Sequence, residues 1–177
     1  MFKRKKEKVV HEIAPVYDEN SAVLVLGTMP SPLSRETGFY YGNPNNRFWR
    51  VLAAVFGEET PETVADKKAL LLRNRVALWD VCASCEIEGA ADASICEVIP
   101  NDVGGLIAKL NIRRVFFNGA KAEELFGRFA PPPAGVGFTR LPSTSPANAS
   151  WDLPRLVEEW SALRAACELI TDASAAS

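Results

Sequence analysis

Apolar runs rich in Val, Leu and Phe recur at Ala22–Leu26, Val76–Trp79 and Val115–Phe117, each too short for a helix and bounded by polar residues or glycine. Runs of that length without apolar–polar alternation read as strands buried on both faces, which a parallel sheet covered by helices requires. A weaker fourth run, Phe138–Leu141, follows the breakers Pro131-Pro132-Pro133 and Gly135-Val136-Gly137, which make a surface loop. Helical patterns fill the intervals. One runs from Asn46 to Phe56, and one from Pro61, suited to a first helical position after Thr60, to Arg73. Asn101 or Asp102 can cap a helix to Leu110, another covers Lys121–Phe129, and Asp152 can start a last one reaching Leu169. The expected fold is α/β: a three-layer sandwich whose mainly parallel, four-stranded central sheet is flanked by helices.

The chain has 177 residues, 47% of them hydrophobic, and no Gly/Ser-rich or Pro-rich linker divides it. That is enough for a proper core and reads as one domain over residues 21–170, after a basic segment 1–20 and before a small, polar, flexible tail 171–177. The formal charge of −2 says little about partners, because the basic residues concentrate toward the N-terminus. Lys3-Arg4-Lys5-Lys6 and Lys8 could hold phosphate from a mobile arm, or form a solvated terminus. No apolar h-region follows them and no segment reaches membrane-spanning length, so a cytoplasmic protein with no membrane partner is expected.

Cys82, Cys85, Cys96 and Cys167 include one Cys-x-x-Cys, but no second close pair completes a metal site. Reduced, partly buried thiols are expected, with no metal and no cofactor. His11 is the only histidine and precedes every expected strand, which argues against a histidine acid, base or ligand inside the fold.

Open parallel sheets bind ligands beyond the carboxyl ends of their strands. Four segments follow the strands: Gly27-Thr28-Met29-Pro30-Ser31, Asp80 to Cys85, Asn118-Gly119, and Pro142 through Ser143, Thr144, Ser145, Pro146 and Ala147 to Asn148. The first leads into Gly38-Phe39-Tyr40-Tyr41-Gly42-Asn43-Pro44-Asn45-Asn46-Arg47-Phe48-Trp49. Tyrosines there can stack on a planar ring, and asparagine amides can bond its edge or hold a water. Tyr41 is the expected stacking residue, with Phe39 in the core. Asn118 can donate to a base carbonyl and accept from the adjacent ring N–H, provided a second bond fixes its amide.

These motifs, in this order and at strand ends, resemble the uracil-DNA glycosylase superfamily from about Val23 to Trp160. Gly27-Thr28-Met29-Pro30-Ser31 is similar to its first motif, Asn46-Arg47-Phe48-Trp49 to a segment of its mismatch-specific members, and Ser143 to Asn148 to its second motif. Tyr40-Tyr41-Gly42-Asn43-Pro44, Leu78-Trp79-Asp80-Val81 and Leu141 to Asn148 look most like the hypoxanthine (deoxyinosine) DNA glycosylases.

The resemblance implies base flipping and hydrolysis of an N-glycosidic bond in DNA containing deaminated bases, by a monomer that leaves an abasic site. Met29 stands where most relatives place a water-activating Asp or Asn, and Ser143 where many place a catalytic His. The deoxyinosine branch shares these departures, which implies Asn46, or else Asn43, as the water-positioning group; a helix cap is the plain alternative for Asn46. Thr28, Met29, Tyr41, Asp80 and Asn118 are then expected around the base. Residues 143–148 are expected on the DNA, with Pro146 and Ala147 pressing into the gap, and Arg47, Arg50 and Arg140 could add phosphate contacts. Two rivals remain: mismatch-specific uracil excision, and a DNA-binding module that has lost catalysis. A metal-clustered repair protein using the cysteines is a weaker third.

Overall fold

A computed structural model describes residues 5–88, 95–129 and 131–177. In chain order its elements are β1 (Glu7–Val10), β2 (Val23–Gly27), α1 (Pro32–Thr37), α2 (Phe48–Phe56), α3 (Val64–Arg73), β3 (Val76–Asp80), β4 (Cys82–Ile87), β5 (Ile95–Pro100), α4 (Val103–Leu110), β6 (Arg114–Asn118), α5 (Ala120–Phe129), β7 (Gly137–Leu141) and α6 (Leu153–Ala175).

The four expected strands form one sheet in the order β3-β2-β6-β7, with every neighbouring pair parallel. Every residue of β2 is buried, because alternate side chains enter opposite helical layers. Val23, Val25, Val76, Leu78 and Phe116 pack with α2, α3 and α6. Leu24, Leu26, Ala77, Val115 and Phe117 pack with α4 and α5. The register sets Gly27 beside Asp80 and Asn118 beside Leu141, so the polar strand ends share one edge.

A second, antiparallel sheet, β1-β4-β5, was not expected. β4 follows β3 after Val81 alone, and its pairing with β5 shifts register twice, which hides any period-2 pattern. Val9, Cys85, Ile87 and Ile95 form its small core. The basic N-terminal run therefore enters the fold by Lys8, which lies opposite Glu86. Lys5 and Lys6 are exposed, and Lys3 and Arg4 lie outside the described residues. The chain then continues along the edge of β3, where Val16 bridges Leu78.

The helices also differ from expectation, and α2 starts at Phe48 rather than Asn46. α3 starts after Thr63, not at Pro61, because Thr63 and Asp66 form a reciprocal capping box. α1 is additional, capped by Ser31 with Pro32 in its first turn. α6 begins at its expected cap, Asp152, but runs to Ala175 through most of the tail expected to be flexible; Thr171 there accepts a hydrogen bond from Arg75 Nη1 at 2.9 Å. Among the described residues, no helix is long and apolar enough to cross a membrane.

Trp160 of α6 is fully buried, meets Phe48 edge-on, and donates Nε1–H to the Pro142 carbonyl at 2.9 Å. It thus joins the longest helix to the segment after β7. Trp160→Ala should cost about 3–5 kcal/mol of stability, read as a lower urea midpoint with an unchanged slope.

Candidate active site

A cleft of about 310 Å³ opens at the carboxyl edge of the parallel sheet. That is near the lower end of small-molecule pockets, about 300–1,000 Å³, and suits one nucleoside-sized group. The ends of β2, β3 and β6, the 38–49 segment and the loop after β7 all reach it. Thr28, Met29, Tyr41, Asn43, Asn46, Asp80, Asn118, Ser143, Thr144, Ser145, Pro146 and Ala147 line it; Asn148 lines an adjoining groove with Arg140 and Trp151.

Thr144, with no exposed surface, joins three of these elements. Its N–H donates to Asn118 Oδ1 at 3.0 Å, its hydroxyl donates to Asn46 Oδ1 at 2.9 Å, and its Oγ1 accepts from Asn118 Nδ2 at 3.0 Å. Because a backbone N–H demands an acceptor, this network assigns the Asn118 amide orientation. The second bond needed to fix Asn118 is therefore present. It also occupies the amide: Nδ2 makes its other bond to the Tyr41 hydroxyl at 3.1 Å, so both donors are engaged.

Asn46 lies one residue before the N-cap of α2, Arg47, and its Oδ1 accepts from Phe48 N–H at 2.9 Å as well as from Thr144, so it ties down the start of the helix and both lone pairs are used. Its NH₂ lines the cleft with no protein partner among the described residues. Asn43 instead turns its own loop, accepting from Asn45 N–H at 2.9 Å.

Tyr41 stacks on Phe48 with ring centroids 3.9 Å apart and lies in the left-handed region at φ 53°. One face is backed by the core while the residue lines the cleft. Gly27 permits this packing, since a Cβ there would run into Asp80 Oδ1 and come within 2.8 Å of the Tyr41 hydroxyl. Phe39 is buried, stacked against Trp49. Met29 packs between the apolar groups of the two sheets and forms cleft wall.

His11 reverses the expectation drawn from its place in the chain. Its side chain is 1% exposed and its Nε2 lies 2.9 Å from Asp80 Oδ2, behind the cleft wall. Beside it, Tyr40 donates to the Ala14 carbonyl at 3.1 Å; burial, reinforced by Asp80 and Tyr41, pushes its phenol far above the usual range. Arg35 of α1 was also missed. It lines the cleft, and its buried Nε has no partner among the described residues. Its position four residues beyond the first motif was the available signal.

One expectation for a DNA contact needs correction. Arg47 does not reach outward: its guanidinium donates to the carbonyls of Ser145 at 2.7 Å, Asn148 at 3.2 Å and Thr144 at 3.3 Å, and also to Trp151. The backbone amides of the 143–148 loop are largely used internally. Ser145 N–H donates to Ser143 Oγ, Ala147 N–H to Ser145 Oγ, and Asn148 N–H to the Ser145 carbonyl, while the Asn148 side chain donates to the Ser143 carbonyl. Pro146 and Ala147 remain exposed at the rim, and Arg50 is exposed, while Arg140 lies 3.7 Å from Glu123.

Cys82, Cys85 and Cys167 pack in three separate apolar groups and do not converge. Burial pushes the Cys167 thiol up to about 12 and raises Cys85 as well.

The Uracil DNA glycosylase superfamily profile matches residues 14–166, nearly the whole folded region. The chain belongs to this superfamily. A protein named hypoxanthine DNA glycosylase from Methanosarcina acetivorans is 38% identical over 152 residues, covering 84% of this chain and 93% of that one. Another of the same name from Methanosarcina barkeri is 35% identical over 138 residues, covering 76% and 85%. The solution structure of a candidate uracil DNA glycosylase from Methanosarcina acetivorans superposes with a TM-score of 0.74 at 34% identity, covering 88% of this chain and 97% of that chain. Thr144, in the segment that resembles the superfamily's second motif, is joined here to Asn118 at the end of β6 and to Asn46 before α2.

Arg47→Lys keeps the charge but removes the planar fork that holds four carbonyls. It should lower stability by about 1–3 kcal/mol and speed hydrogen exchange at residues 144–151 while leaving the central strands protected.

Proposed function

We propose that this protein is a monofunctional DNA glycosylase that hydrolyses the N-glycosidic bond of deoxyinosine, releasing hypoxanthine and leaving an abasic site. The observation that carries the reading is the Thr144–Asn118–Asn46 network, which holds an unpaired amide donor at the wall of a cleft sized for one flipped nucleotide. The two hypoxanthine DNA glycosylases similar to most of this chain support the choice of base.

Tyr41, stiffened by Phe48, supplies a face for the extruded purine. The Asn46 NH₂ donates to one lone pair of a water, leaving the other to attack C1′ as the bond to N9 breaks. The bond electrons leave with the base, and the water's proton passes to a ring nitrogen of the base or to solvent. No carboxylate need act as general base, because a cation-like sugar accepts a weak nucleophile once it is positioned. DNA containing deaminated bases is the partner, met at the rim by Pro146 and Ala147 and by the exposed Arg50.

Duplexes carrying one deoxyinosine or one deoxyuridine, treated with alkali after incubation, test this. Wild-type protein should expose abasic sites at deoxyinosine without nicking the strand unaided, and EDTA should not change the rate. Asn46→Ala should slow release by about 100-fold or more, at the cost of about 1–3 kcal/mol of stability from the bonds to Phe48 and Thr144, whereas Asn43→Ala should stay within about tenfold of wild type. Release should vary little between about pH 6 and 8, since no general base takes part in the step. The structure described as a candidate uracil DNA glycosylase favours uracil as the second reading. Uracil release alone would select it, and binding without any release would mean a module that has lost catalysis.

A further inference from the structure

We propose that Asp80, held by His11, is the specificity-determining acceptor of the site: its carboxylate takes the ring N–H that deamination creates next to a carbonyl, N1–H in hypoxanthine. This deepens the glycosylase reading and rests on it.

The Asn118 amide, which the sequence offered for this task, has both N–H donors and its oxygen engaged by Tyr41 and Thr144. Asp80 is a stronger acceptor on the same wall. It ends β3 directly beside Gly27, whose missing side chain leaves room for Oδ1 at the cleft. Oδ2 is bonded to His11, and the side chains of the pair are 5% and 1% exposed. An ionised carboxylate only accepts, so Nε2 of His11 must carry the proton between them. His11 thereby aims Asp80 without occupying its other oxygen.

The base edge decides the outcome. Hypoxanthine presents N1–H, whereas N1 of adenine is a lone pair that a buried carboxylate repels. A site built to accept one N–H rejects the base lacking it far more strongly than a shape-only pocket does. Uracil presents the same feature at N3–H, so Asp80 separates deaminated bases from their amino parents without ranking hypoxanthine against uracil. His11 is a positioning residue here, because it acts through Asp80.

Among the described residues, Tyr40, kept neutral by burial, lies near Asp80 and Tyr41, and Arg35 lines the same cleft. If His11 is replaced by Leu, the carboxylate loses the N–H that aims it. Hypoxanthine release by His11→Leu should then fall at least about tenfold. His11→Gln restores an N–H and should recover most of that loss.

The test compares single-turnover release of hypoxanthine and of N1-methylhypoxanthine from otherwise identical duplexes. Wild type should release the methylated base at least about 100-fold more slowly. In Asp80→Ala, hypoxanthine release should fall at least about tenfold, and the penalty for methylation should shrink by a similar factor. Steric exclusion alone would shrink the penalty in Asp80→Ala without slowing hypoxanthine release, and that result overturns the proposal. So does equal release of both bases by wild type, a comparison that needs no variant to fold. Equal release by His11→Leu and His11→Gln removes the assigned role of His11. Failure of wild type to release hypoxanthine at all would instead reject the glycosylase reading.

Discussion

Thr144 is the joint on which the site depends. Its amide, hydroxyl and carbonyl bind Asn118 at the end of β6, Asn46 at the start of α2, and Arg47. All are buried or partly buried, so leaving any one unmatched would cost about 1–3 kcal/mol. The bonds run in a fixed direction. The Asn118 amide donates to the hydroxyl oxygen, the hydroxyl donates to Asn46, and the Asn46 NH₂ is left facing the cleft. A loop without regular structure thereby becomes as well placed as the strand ends it faces.

Arg47 explains why that loop can hold its shape. Four carbonyl groups between Thr144 and Trp151 converge on one guanidinium, at a point where the chain has no ladder to satisfy them. Trp160 fastens the preceding Pro142 from the opposite side. Rigidity at the rim then comes from contacts spanning about a hundred positions of sequence, with the parallel sheet as their common base. The antiparallel sheet adds the remaining wall, bringing Ile87 and Ile95 to the cleft and His11 behind Asp80.

The central strands were legible because burial on both faces leaves continuous apolar runs, as in Val23–Leu26 and Val115–Phe117, and the caps Asp102 and Asp152 lie where a side-chain acceptor meets a helical pattern. β4 and β5 were not, since Cys82–Ile87 mixes small, charged and apolar residues across two register shifts and finds a partner in a strand of four residues at the other end of the domain. His11 was misjudged for the same reason: its contact with Asp80 spans 69 positions and exists only because β1 joins that sheet. Most residues that line the cleft could be named from motifs, but their hydrogen-bond directions could not. Arg47 is the clearest instance, for an arginine beside an expected DNA surface reads as a phosphate contact until the carbonyls around it are seen.

The most direct measurement is single-turnover release of free hypoxanthine from a deoxyinosine duplex by Thr144→Val, with Thr144→Ser as the control that keeps the hydroxyl. Loss of that hydroxyl breaks the link between Asn118 and Asn46 while both asparagines remain. The account predicts release at least about 100-fold slower in Thr144→Val, near-normal release in Thr144→Ser, and DNA binding within a few-fold of wild type in both. Wild-type rates in Thr144→Val, with the protein folded, would contradict it.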